Sequence, residues 1–488
     1  MALLKILKIL NQDLLINNIY TIMTESLPTI AAISTPPGSG GIACIRISGK
    51  NAYTICDKVF KAKNTKIIEE QAIQTMQFGK IISDEKIIDE VLLARFRAPH
   101  SYTGEDTVEI TCHGSVYIQQ KIISLLLKNG AHLAKGGEFT QRAFLNGKMD
   151  LSQAEAVADL IASSSAASHR LAINQMRGGF SNELYKLRDE LLDFTSLIEL
   201  ELDFSEEDIE FADRDRLKEL ANHIAEILKN LSNSFYIGNA IKNGIPVAIV
   251  GETNAGKSTL LNFLLNEERA IVSNIHGTTR DVIEDTVSIE GINFRFIDTA
   301  GIRETHDVIE SMGIERTFQK ITQASIILWV IDALSKTDDI KVLANKFTSI
   351  GESKNLIMVL NKTDLLDEHE KVKKENVLKQ ILPDSELISI SATLQINTNL
   401  LIKKLIDKTS LPHIGDNDVI ITNLRHYEAL NSAHSSILRV ISGLNSGISG
   451  DLLSQDIREC LHYLGEITGK ITTSDILENI FKKFCIGK

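Results

Sequence analysis

A loop bracketed by two glycines is the stretch of this sequence best suited to chemistry. Gly251 opens the loop, and Gly256 ends it immediately before Lys257 and Ser258. The apolar run 247–250 precedes the loop, and a helical pattern follows it. This order of strand, Gly-x-x-x-x-Gly-Lys-Ser loop and helix is the setting that a phosphate-binding loop requires. Backbone N–H groups at a helix N-terminus would bind phosphates, the lysine would add positive charge, and the serine would offer a hydroxyl to Mg²⁺. The sequence therefore predicts a nucleotide-binding site rather than a chance glycine-rich turn.

Further segments follow this loop in the order expected of a guanine-nucleotide domain. Thr279 could complete the oxygen shell of Mg²⁺, and Asp298, at the end of a predicted strand, could hold the same ion. The Gly301 N–H could meet the γ-phosphate. Asp364, in an Asn-Lys-Thr-Asp segment, can accept hydrogen bonds from N1–H and the exocyclic amine of guanine, and Ser391 begins a loop that fits around the base. Together these segments predict a guanine nucleotide with Mg²⁺ as its cofactor.

Two features bear on how GTP would be hydrolysed. Ras-like enzymes orient the attacking water with a Gln directly after the glycine of Asp-x-x-Gly, whereas this chain has Ile302 there. Glu304, Asp307 and Glu310 are acidic candidates downstream, although spacing alone favours a solvated charge for each of them. Because no arginine finger is evident, a monovalent cation held by Asn254 could neutralise the developing charge. The alternative for Asn254 is a turn residue that tolerates unusual φ and ψ angles.

The regions on either side of the nucleotide domain predict two other architectures. Strand-like and helical runs alternate before residue 142, which indicates a compact α+β domain. Arg46 and Glu109 lie inside strand-like runs there, where a charge usually points to solvent. From residue 143 apolar side chains recur at three- and four-residue steps, and the same helical period returns at 423–442 and 457–484. The sequence thus predicts a nucleotide domain inserted into one helical domain.

Composition and charge narrow the possible functions. The chain of 488 residues carries a formal net charge of −12, so contact with RNA would need a local basic patch or a partner. Its five cysteines contain no Cys-x-x-Cys pair, which argues against a zinc site or a disulfide framework and fits a reducing cytosol. No run approaches the ~18 apolar residues of a membrane span. We therefore expect a cytoplasmic protein of roughly three domains without a membrane segment.

Residues 1–27 form a leader whose status is ambiguous. Residues 1–22 are rich in Leu and Ile but lack the arginines of a transit peptide and the small-residue cleavage site of a signal peptide. Met23 is a plausible true start, and a frayed amphipathic extension is the alternative.

Stretches along most of the chain resemble the tRNA-modification GTPase family MnmE, also called TrmE. They are Thr35-Pro-Pro-Gly-Ser-Gly-Gly, Arg46-Ile-Ser-Gly, Tyr102-Thr-Gly-Glu-Asp, Gly137-Glu-Phe-Thr-Gln-Arg-Ala-Phe-Leu-Asn-Gly-Lys-Met-Asp-Leu, the nucleotide motifs and the terminal Cys485-Ile-Gly-Lys. The last tetrapeptide differs from a prenylation box because Lys is not an accepted final residue. The resemblance spans residues 28–488 and leaves only the leader outside.

The resemblance implies an α/β multidomain chain with an α+β folate-binding N-terminal domain, an α-helical domain and an inserted Ras-like P-loop G domain. The folate-binding and dimerisation domain would span 28–142, the two parts of the helical domain 143–242 and 411–488, and the G domain 243–410. Such proteins are homodimers and K⁺-activated GTPases that work with MnmG, a protein that binds FAD. Together they use the one-carbon unit of a tetrahydrofolate to place an aminomethyl or carboxymethylaminomethyl group on C5 of the wobble uridine in certain tRNAs.

The resemblance also assigns roles to individual residues. The folate site would contain Arg46, Glu109, Lys148 and Lys488, which reverses the solvent-facing interpretation of the first two. The K⁺ ligands would be Asn254, Ser273, Ile275 and Thr278, and the Mg²⁺ ligands would be Ser258 and Thr279. The catalytic glutamate would be Glu310, ahead of Glu304 and Asp307. The residues in contact with GTP would be Asn254, Ala255, Gly256, Lys257, Ser258, Thr259, Ser273, Asn274, Ile275, His276, Gly277, Thr278, Thr279, Asp298, Thr299, Ala300, Gly301, Asn361, Lys362, Thr363, Asp364, Ser391, Ala392 and Thr393.

Two other functions stay open at this point. An Era-like ribosome-assembly GTPase shares the nucleotide motifs, but it would need an RNA-binding appendage such as a KH domain, and the sequence has no Gly-x-x-Gly loop in a basic setting. A GTP-dependent binding switch with little hydrolysis is the other possibility. GTP turnover with and without K⁺ separates that switch from a K⁺-activated enzyme, and folate retention separates the Era-like protein from it.

Overall fold

A computed structural model describes the chain in segments, and it divides the chain into two compact units. The described residues are 27–63, 76–203, 214–266, 285–290, 292–297, 324–337, 340–341, 344, 355–383, 385–409, 418–482 and 484–487. The first unit comprises Met1–Ala158, Asn174–Asn230 and Glu428–Lys488, and the second comprises Asp159–Ile173 and Leu231–Tyr427. This division is coarser than the predicted domain organisation, whose boundaries stay a prediction.

A seven-stranded sheet occupies the beginning of the first unit. Its strands and the two helices that pack on it are β1 (Ile30–Ile33), β2 (Ile42–Ser48), α1 (Ala52–Asp57), β3 (Phe60–Ala62), β4 (Met76–Ser83), β5 (Lys86–Phe96), β6 (Thr107–His113), α2 (Val116–Lys128) and β7 (His132–Leu133). The strand order is β3-β4-β5-β6-β2-β1-β7, and neighbours are antiparallel except for the parallel pair β1 and β7. The predicted α+β architecture of this region is confirmed.

One face of this sheet forms a core with the helices. Ile45 of β2 and Ile110 of β6 are fully buried and belong to the same apolar cluster as Ile122 of α2. Because side chains alternate between the two faces of a strand, Arg46 and Glu109 project from the other face. The sheet therefore separates its apolar core from a face that carries charged groups.

Helices follow the sheet along the chain. They are α3 (Glu138–Leu145), α4 (Leu151–Ala162), α5 (Ala166–Met176), α6 (Gly179–Asp203) and α7 (Arg214–Asn243). In α6 the apolar residues Leu184, Leu187, Leu191 and Ile198 are all buried, as their three- and four-residue spacing predicts.

The second unit contains a six-stranded sheet with helices. These elements are β8 (Ile245–Val250), α8 (Lys257–Asn266), β9 (Asp285–Ile289), β10 (Ile292–Phe296), β11 (Ile326–Asp332), β12 (Asn355–Asn361), α9 (Glu368–Ile381), β13 (Glu386–Ser389) and α10 (Thr398–Asp407). The strand order is β13-β12-β11-β8-β10-β9, and all neighbours are parallel except β9, which runs antiparallel to β10.

The central strands of this sheet are apolar on both faces. Val247 and Ile249 of β8 belong to one buried cluster, and Ala248 and Val250 belong to another with Trp329 of β11. Continuous apolar runs are expected where a parallel sheet is covered on both sides. The parallel strands end at one edge, where ligands bind in open α/β sheets. The phosphate-binding loop and the loops after β11, β12 and β13 lie at that edge.

The last part of the chain contains α11 (Leu424–Asn445), α12 (Gly450–Thr468) and α13 (Ser474–Phe481). The predicted helical stretch 457–484 falls on α12 and α13, with a break between them. Gly469 takes a left-handed φ of +81° after α12, and the Thr473 hydroxyl accepts a hydrogen bond from Ile476 N at the start of α13. Across the described helices, none combines the length and apolar character needed to cross a membrane.

Candidate functional site

The phosphate-binding loop has a shape that its two glycines allow. Gly251 has a φ of +154° and Gly256 a φ of +95°. A Cβ atom would lie 2.1 Å from the Val330 carbonyl oxygen at the first position and 2.2 Å from Asn361 Nδ2 at the second. Both positions therefore require glycine. Asn254, between them, has a φ of +65°, a conformation that Asn tolerates better than most residues. This backbone conformation fits the interpretation of Asn254 as a turn residue, and it is also compatible with Asn254 as a ligand of a cation.

The Lys257 side chain folds back over this loop. Its Nζ donates hydrogen bonds to the carbonyl oxygens of Gly251 at 2.8 Å and Glu252 at 2.6 Å. Lys257 and Ser258 also begin α8, so the N-terminus of this helix lies at the end of the loop. A fixed positive charge and a helix N-terminus therefore meet at one point, which is the arrangement that binds phosphate.

Asn361 joins the phosphate-binding loop to the predicted base loop. It ends β12 and is 2% exposed. Its Nδ2 donates to the Ala255 carbonyl oxygen at 2.9 Å, and its Oδ1 accepts from Ala392 N at 3.0 Å. One amide side chain thus uses both of its ends to fix two loops. The structure brings these predicted GTP-contacting residues together.

Neighbouring residues complete the base loops. Thr363 donates to the Ile390 carbonyl oxygen through both its N–H, at 3.1 Å, and its hydroxyl, at 2.9 Å. Asp364 follows in the short 3₁₀ helix Thr363–Leu365, and its side chain is exposed. Ser391 is buried, and its hydroxyl accepts a hydrogen bond from Leu394 N, which shapes the loop. The one carboxylate predicted to recognise guanine is therefore accessible to a ligand, while the residues that hold its loop are buried.

An ion pair that the sequence reasoning missed supports Lys362. Lys362 has a left-handed φ of +63°, and its Nζ lies 2.6 Å from Asp332 Oδ2. The other carboxylate oxygen of Asp332 accepts a hydrogen bond from Leu334 N. The sequence does contain a signal for this residue, because Asp332 is an acid at the end of the apolar run that forms β11. Asp332 positions Lys362 at the same sheet edge as the base loops.

A second candidate site lies on the first unit's sheet. Arg46 and Glu109 are direct cross-strand partners, and Arg46 Nε donates to Glu109 Oε1 at 2.8 Å. The side chains are 15% and 28% exposed, so both charges are partly buried rather than fully facing solvent. The guanidinium carbon lies 5.2 Å from the ring centre of Tyr102 and 5.6 Å from that of Phe139. Aromatic faces at this distance attract and orient a guanidinium group.

Lys148 and the C-terminal residues approach this region from other elements. Lys148 Nζ donates to the Pro99 carbonyl oxygen at 3.0 Å, at the start of the loop that carries Tyr102. Near the C-terminus, the Ser34 hydroxyl donates to the Gly487 carbonyl oxygen at 3.1 Å, and Ile486 pairs with Gly136. The residues just before Lys488 are thereby fixed beside the end of β1.

Some predicted site residues lie outside the described residues. They are Ser273, Asn274, Ile275, His276, Gly277, Thr278, Thr279, Asp298, Thr299, Ala300, Gly301, Glu310 and Lys488. The alternatives weighed with them, Ile302, Glu304 and Asp307, lie outside as well. Of the predicted Mg²⁺ and K⁺ ligands, the structure describes Ser258 and Asn254.

The sheet order, the phosphate-binding loop and the paired base loops together define a P-loop protein with a guanine-nucleotide domain. Comparison with known proteins assigns the rest of the chain to a family as well. The family model for the MnmE helical domain matches residues 151–485, and the model for the GTP-binding protein TrmE N-terminus matches residues 29–148. The chain therefore belongs to the MnmE family of tRNA modification GTPases, which are GTP-hydrolysing enzymes.

Individual relatives agree with this assignment. The tRNA modification GTPase MnmE of Bacteroides thetaiotaomicron is 60% identical over 462 residues, which cover 94% of this chain and 99% of that protein. The protein of the same name from Parabacteroides distasonis is 54% identical over 477 residues, with 95% and 100% covered. Among solved structures, Aquifex aeolicus Era bound to GDP·AlF₄⁻ is 29% identical and covers 40% of this chain and 66% of its own, with a TM-score of 0.27.

Proposed function

We propose that this protein is a K⁺-activated, Mg²⁺-dependent GTPase of tRNA modification. It works with an FAD-binding partner of the MnmG type and uses the one-carbon unit of a tetrahydrofolate. The product is an aminomethyl or carboxymethylaminomethyl group on C5 of the wobble uridine in certain tRNAs. The observation that carries the proposal is that one chain combines the Asn361-linked nucleotide loops with the Arg46–Glu109 pair between two aromatic rings.

Two cations belong to the proposed GTP site. Ser258 and Thr279 would hold Mg²⁺, and Asn254, Ser273, Ile275 and Thr278 would hold K⁺. When bound, these ions would neutralise negative charge that develops on the phosphates during hydrolysis. The described part of the site fits them, because Ser258 begins α8 and Asn254 is exposed on the phosphate-binding loop. Glu310 would orient the attacking water in place of the missing Gln.

The Arg46–Glu109 pair suits a reduced pterin ring. Such a ring presents N–H donors and acceptor atoms along one edge, which a carboxylate and a guanidinium can match with charge-assisted hydrogen bonds. Tyr102 and Phe139 hold the guanidinium, and the partly exposed ring of Tyr102 supplies apolar surface next to it. Lys148 and Lys488 would add positive charge for the carboxylates of a folate.

An apolar area on the outer sheet face supports homodimer formation through the N-terminal domain. Phe78 and Leu92 are direct cross-strand partners and are 41% and 39% exposed. Met76, on the same strand as Phe78, is 61% exposed. Exposed apolar side chains that adjoin one another mark protein interfaces more often than free surface. A cytoplasmic location is part of the same proposal.

GTP hydrolysis in K⁺ compared with Na⁺ tests the proposal most directly. We expect turnover to be at least about tenfold faster in K⁺, because a bound ion replaces the arginine finger. Glu310→Ala should remove most of this turnover, and Glu304→Ala provides a matched control that should not. Equal rates in K⁺ and Na⁺ would refute the cation role, and parent-like turnover of Glu310→Ala would refute the role of the glutamate.

A further inference from the structure

The guanidinium of Arg142 is the most completely buried charged group near the Arg46–Glu109 pair. It lies on α3 and is 1% exposed. Its Nη1 donates to both carboxylate oxygens of Glu105 at 3.2 Å. Its Nη2 donates to Glu138 Oε1 at 2.9 Å and to the Pro28 carbonyl oxygen at 2.8 Å. Its Nε has no hydrogen-bond partner among the described residues. A buried guanidinium is costly without partners, so the contacts of the two terminal nitrogens define its position closely.

Glu105 extends this network to the strand that carries Arg46. Its Oε2 accepts a hydrogen bond of 2.7 Å from the hydroxyl of Ser48, the last residue of β2. Ser48 and Thr103 share a further hydrogen bond of 2.7 Å. On the other side, Asn146, which follows α3, donates to the Thr103 carbonyl oxygen at 2.7 Å. The loop 101–106 is thereby attached both to β2 and to α3.

The two rings that flank Arg46 come from the elements that Arg142 joins. Tyr102 belongs to the loop 101–106, and Phe139 belongs to α3 and is fully buried. The Tyr102 hydroxyl also shares a hydrogen bond of 2.9 Å with Thr140 of α3. If the loop moved away from α3, one ring would leave the guanidinium while the other stayed. The spacing between the rings therefore depends on the contact between these two elements.

The same helix receives the C-terminal residues. Gly137 precedes α3, and its N–H donates to the Cys485 carbonyl oxygen at 3.3 Å. Ile486 pairs with Gly136 just before it. The position of α3 thus governs three parts of the candidate folate site, which are the ring of Phe139, the loop with Tyr102 and the C-terminal residues.

We propose that Arg142 is a positioning residue for folate binding. It does not contact the folate; it fixes α3 against the loop 101–106 and so sets the two rings around Arg46. This inference rests on the proposed function, because it assumes that the Arg46–Glu109 pair binds a reduced folate. Arg142 acts through Tyr102, because the ring of Tyr102 is the part of the loop that contacts Arg46.

The test compares Arg142→Lys with a matched control. Lysine keeps the positive charge, but its single nitrogen cannot serve two carboxylates and a carbonyl with the fixed fork geometry of arginine. Arg439→Lys makes the same change in an ion pair between α11 and α12, where Arg439 binds Asp456 at 2.8 Å. The dissociation constant for a formyl-substituted tetrahydrofolate is measured by calorimetry on the full-length chain, and thermal unfolding checks that each variant is folded.

We expect Arg142→Lys to bind this folate about tenfold or more weakly than the parent, because a displaced supporting residue commonly has an effect of that size. Arg439→Lys should bind as the parent does. Tyr102→Leu should reproduce the loss, whereas Tyr102→Phe keeps the ring and should lose less. Parent-like affinity in Arg142→Lys would overturn the inference.

A second measurement separates the two proposals. Amide hydrogen exchange of residues 101–106 reports the position of the loop whether or not folate binds. If the parent itself fails to bind the folate, the proposed folate function is refuted. Exchange then still tests whether Arg142 holds the loop against α3, and it should be faster in Arg142→Lys than in Arg439→Lys. Equal exchange in the two variants would refute it.

Discussion

Replacement of Asn361 by alanine should destabilise the nucleotide domain by an amount that the structure allows us to work out. The amide makes two hydrogen bonds, to the Ala255 carbonyl oxygen and from Ala392 N, and it is 2% exposed. Asn361→Ala removes both and leaves one buried acceptor and one buried donor without a partner. Each such group costs about 1–2 kcal/mol, so the free energy of unfolding should fall by about 2–4 kcal/mol.

The fluorescence of Trp329 can be used to follow this unfolding. Trp329 is the single tryptophan, it is 1% exposed, and it lies on β11 directly opposite Met358 of β12. Its fluorescence during a urea titration therefore reports unfolding of the sheet that carries Asn361. With a dependence of about 2 kcal/mol per molar urea, the transition midpoint should move down by about 1–2 M.

Asn355→Ala is the matched control for this experiment. Asn355 begins the same strand, is exposed, and donates one hydrogen bond of 3.2 Å to the Lys408 carbonyl oxygen. Its loss should change the free energy of unfolding by about 0.5 kcal/mol or less, as is usual for surface positions. The reasoning is refuted if the two variants unfold at the same urea concentration, because burial of the Asn361 amide would then contribute nothing.

Three further outcomes follow from the same contacts. Gly256→Ala should weaken GDP binding about tenfold or more in a fluorescent-nucleotide titration, because its Cβ atom would lie 2.2 Å from a buried amide nitrogen, whereas Gly447→Ala, with open space around it, should not. Asp364→Asn should weaken GTP binding about 100-fold or more, because the new amide group presents N–H donors to the N–H donors of guanine. The same variant should leave the urea midpoint unchanged, because the side chain is exposed. Burial raises the pKa of the Cys112 thiol to about 11 and that of Cys460 to about 12. Both thiols should therefore resist iodoacetamide at pH 8 in the folded protein, and the free energy of unfolding should fall as pH rises above about 9, since the unfolded chain releases those protons first.

The nucleotide domain could be predicted from the sequence because its signals are local. A phosphate-binding loop needs its glycines, lysine and serine within eight positions, and each base loop is a short segment after an apolar strand. The side chain that links these loops could not be assigned its role in this way. Asn361 and Ala255 are 106 residues apart, and only the parallel order of β8, β11 and β12 brings them within hydrogen-bonding distance.

In the sheet of the first unit, the sequence could not predict which charged residues pair with each other. Arg46 and Glu109 are 63 residues apart, and spacing within each strand indicates only that neither faces the core. Their pairing depends on the register between β2 and β6, which a shift of one residue would abolish. The resemblance to a known family identified these residues as partners in function. It gave no role to Tyr102, Phe139 or Arg142, although all three lie in stretches that carry the resemblance.

Both candidate sites contain a buried polar residue whose hydrogen bonds link separate parts of the chain. Asn361 links two loops of the nucleotide domain, and Arg142 links a loop, a helix and the segment before β1. A buried polar group with several partners favours one arrangement, because moving it would leave more donors or acceptors unpaired in a medium of low dielectric constant. The side chain of an exposed residue such as Asp364 is not held in one arrangement by burial. The geometry of the exposed residues is therefore set by these buried links, and a motif search finds the residues without showing which parts of the chain they join.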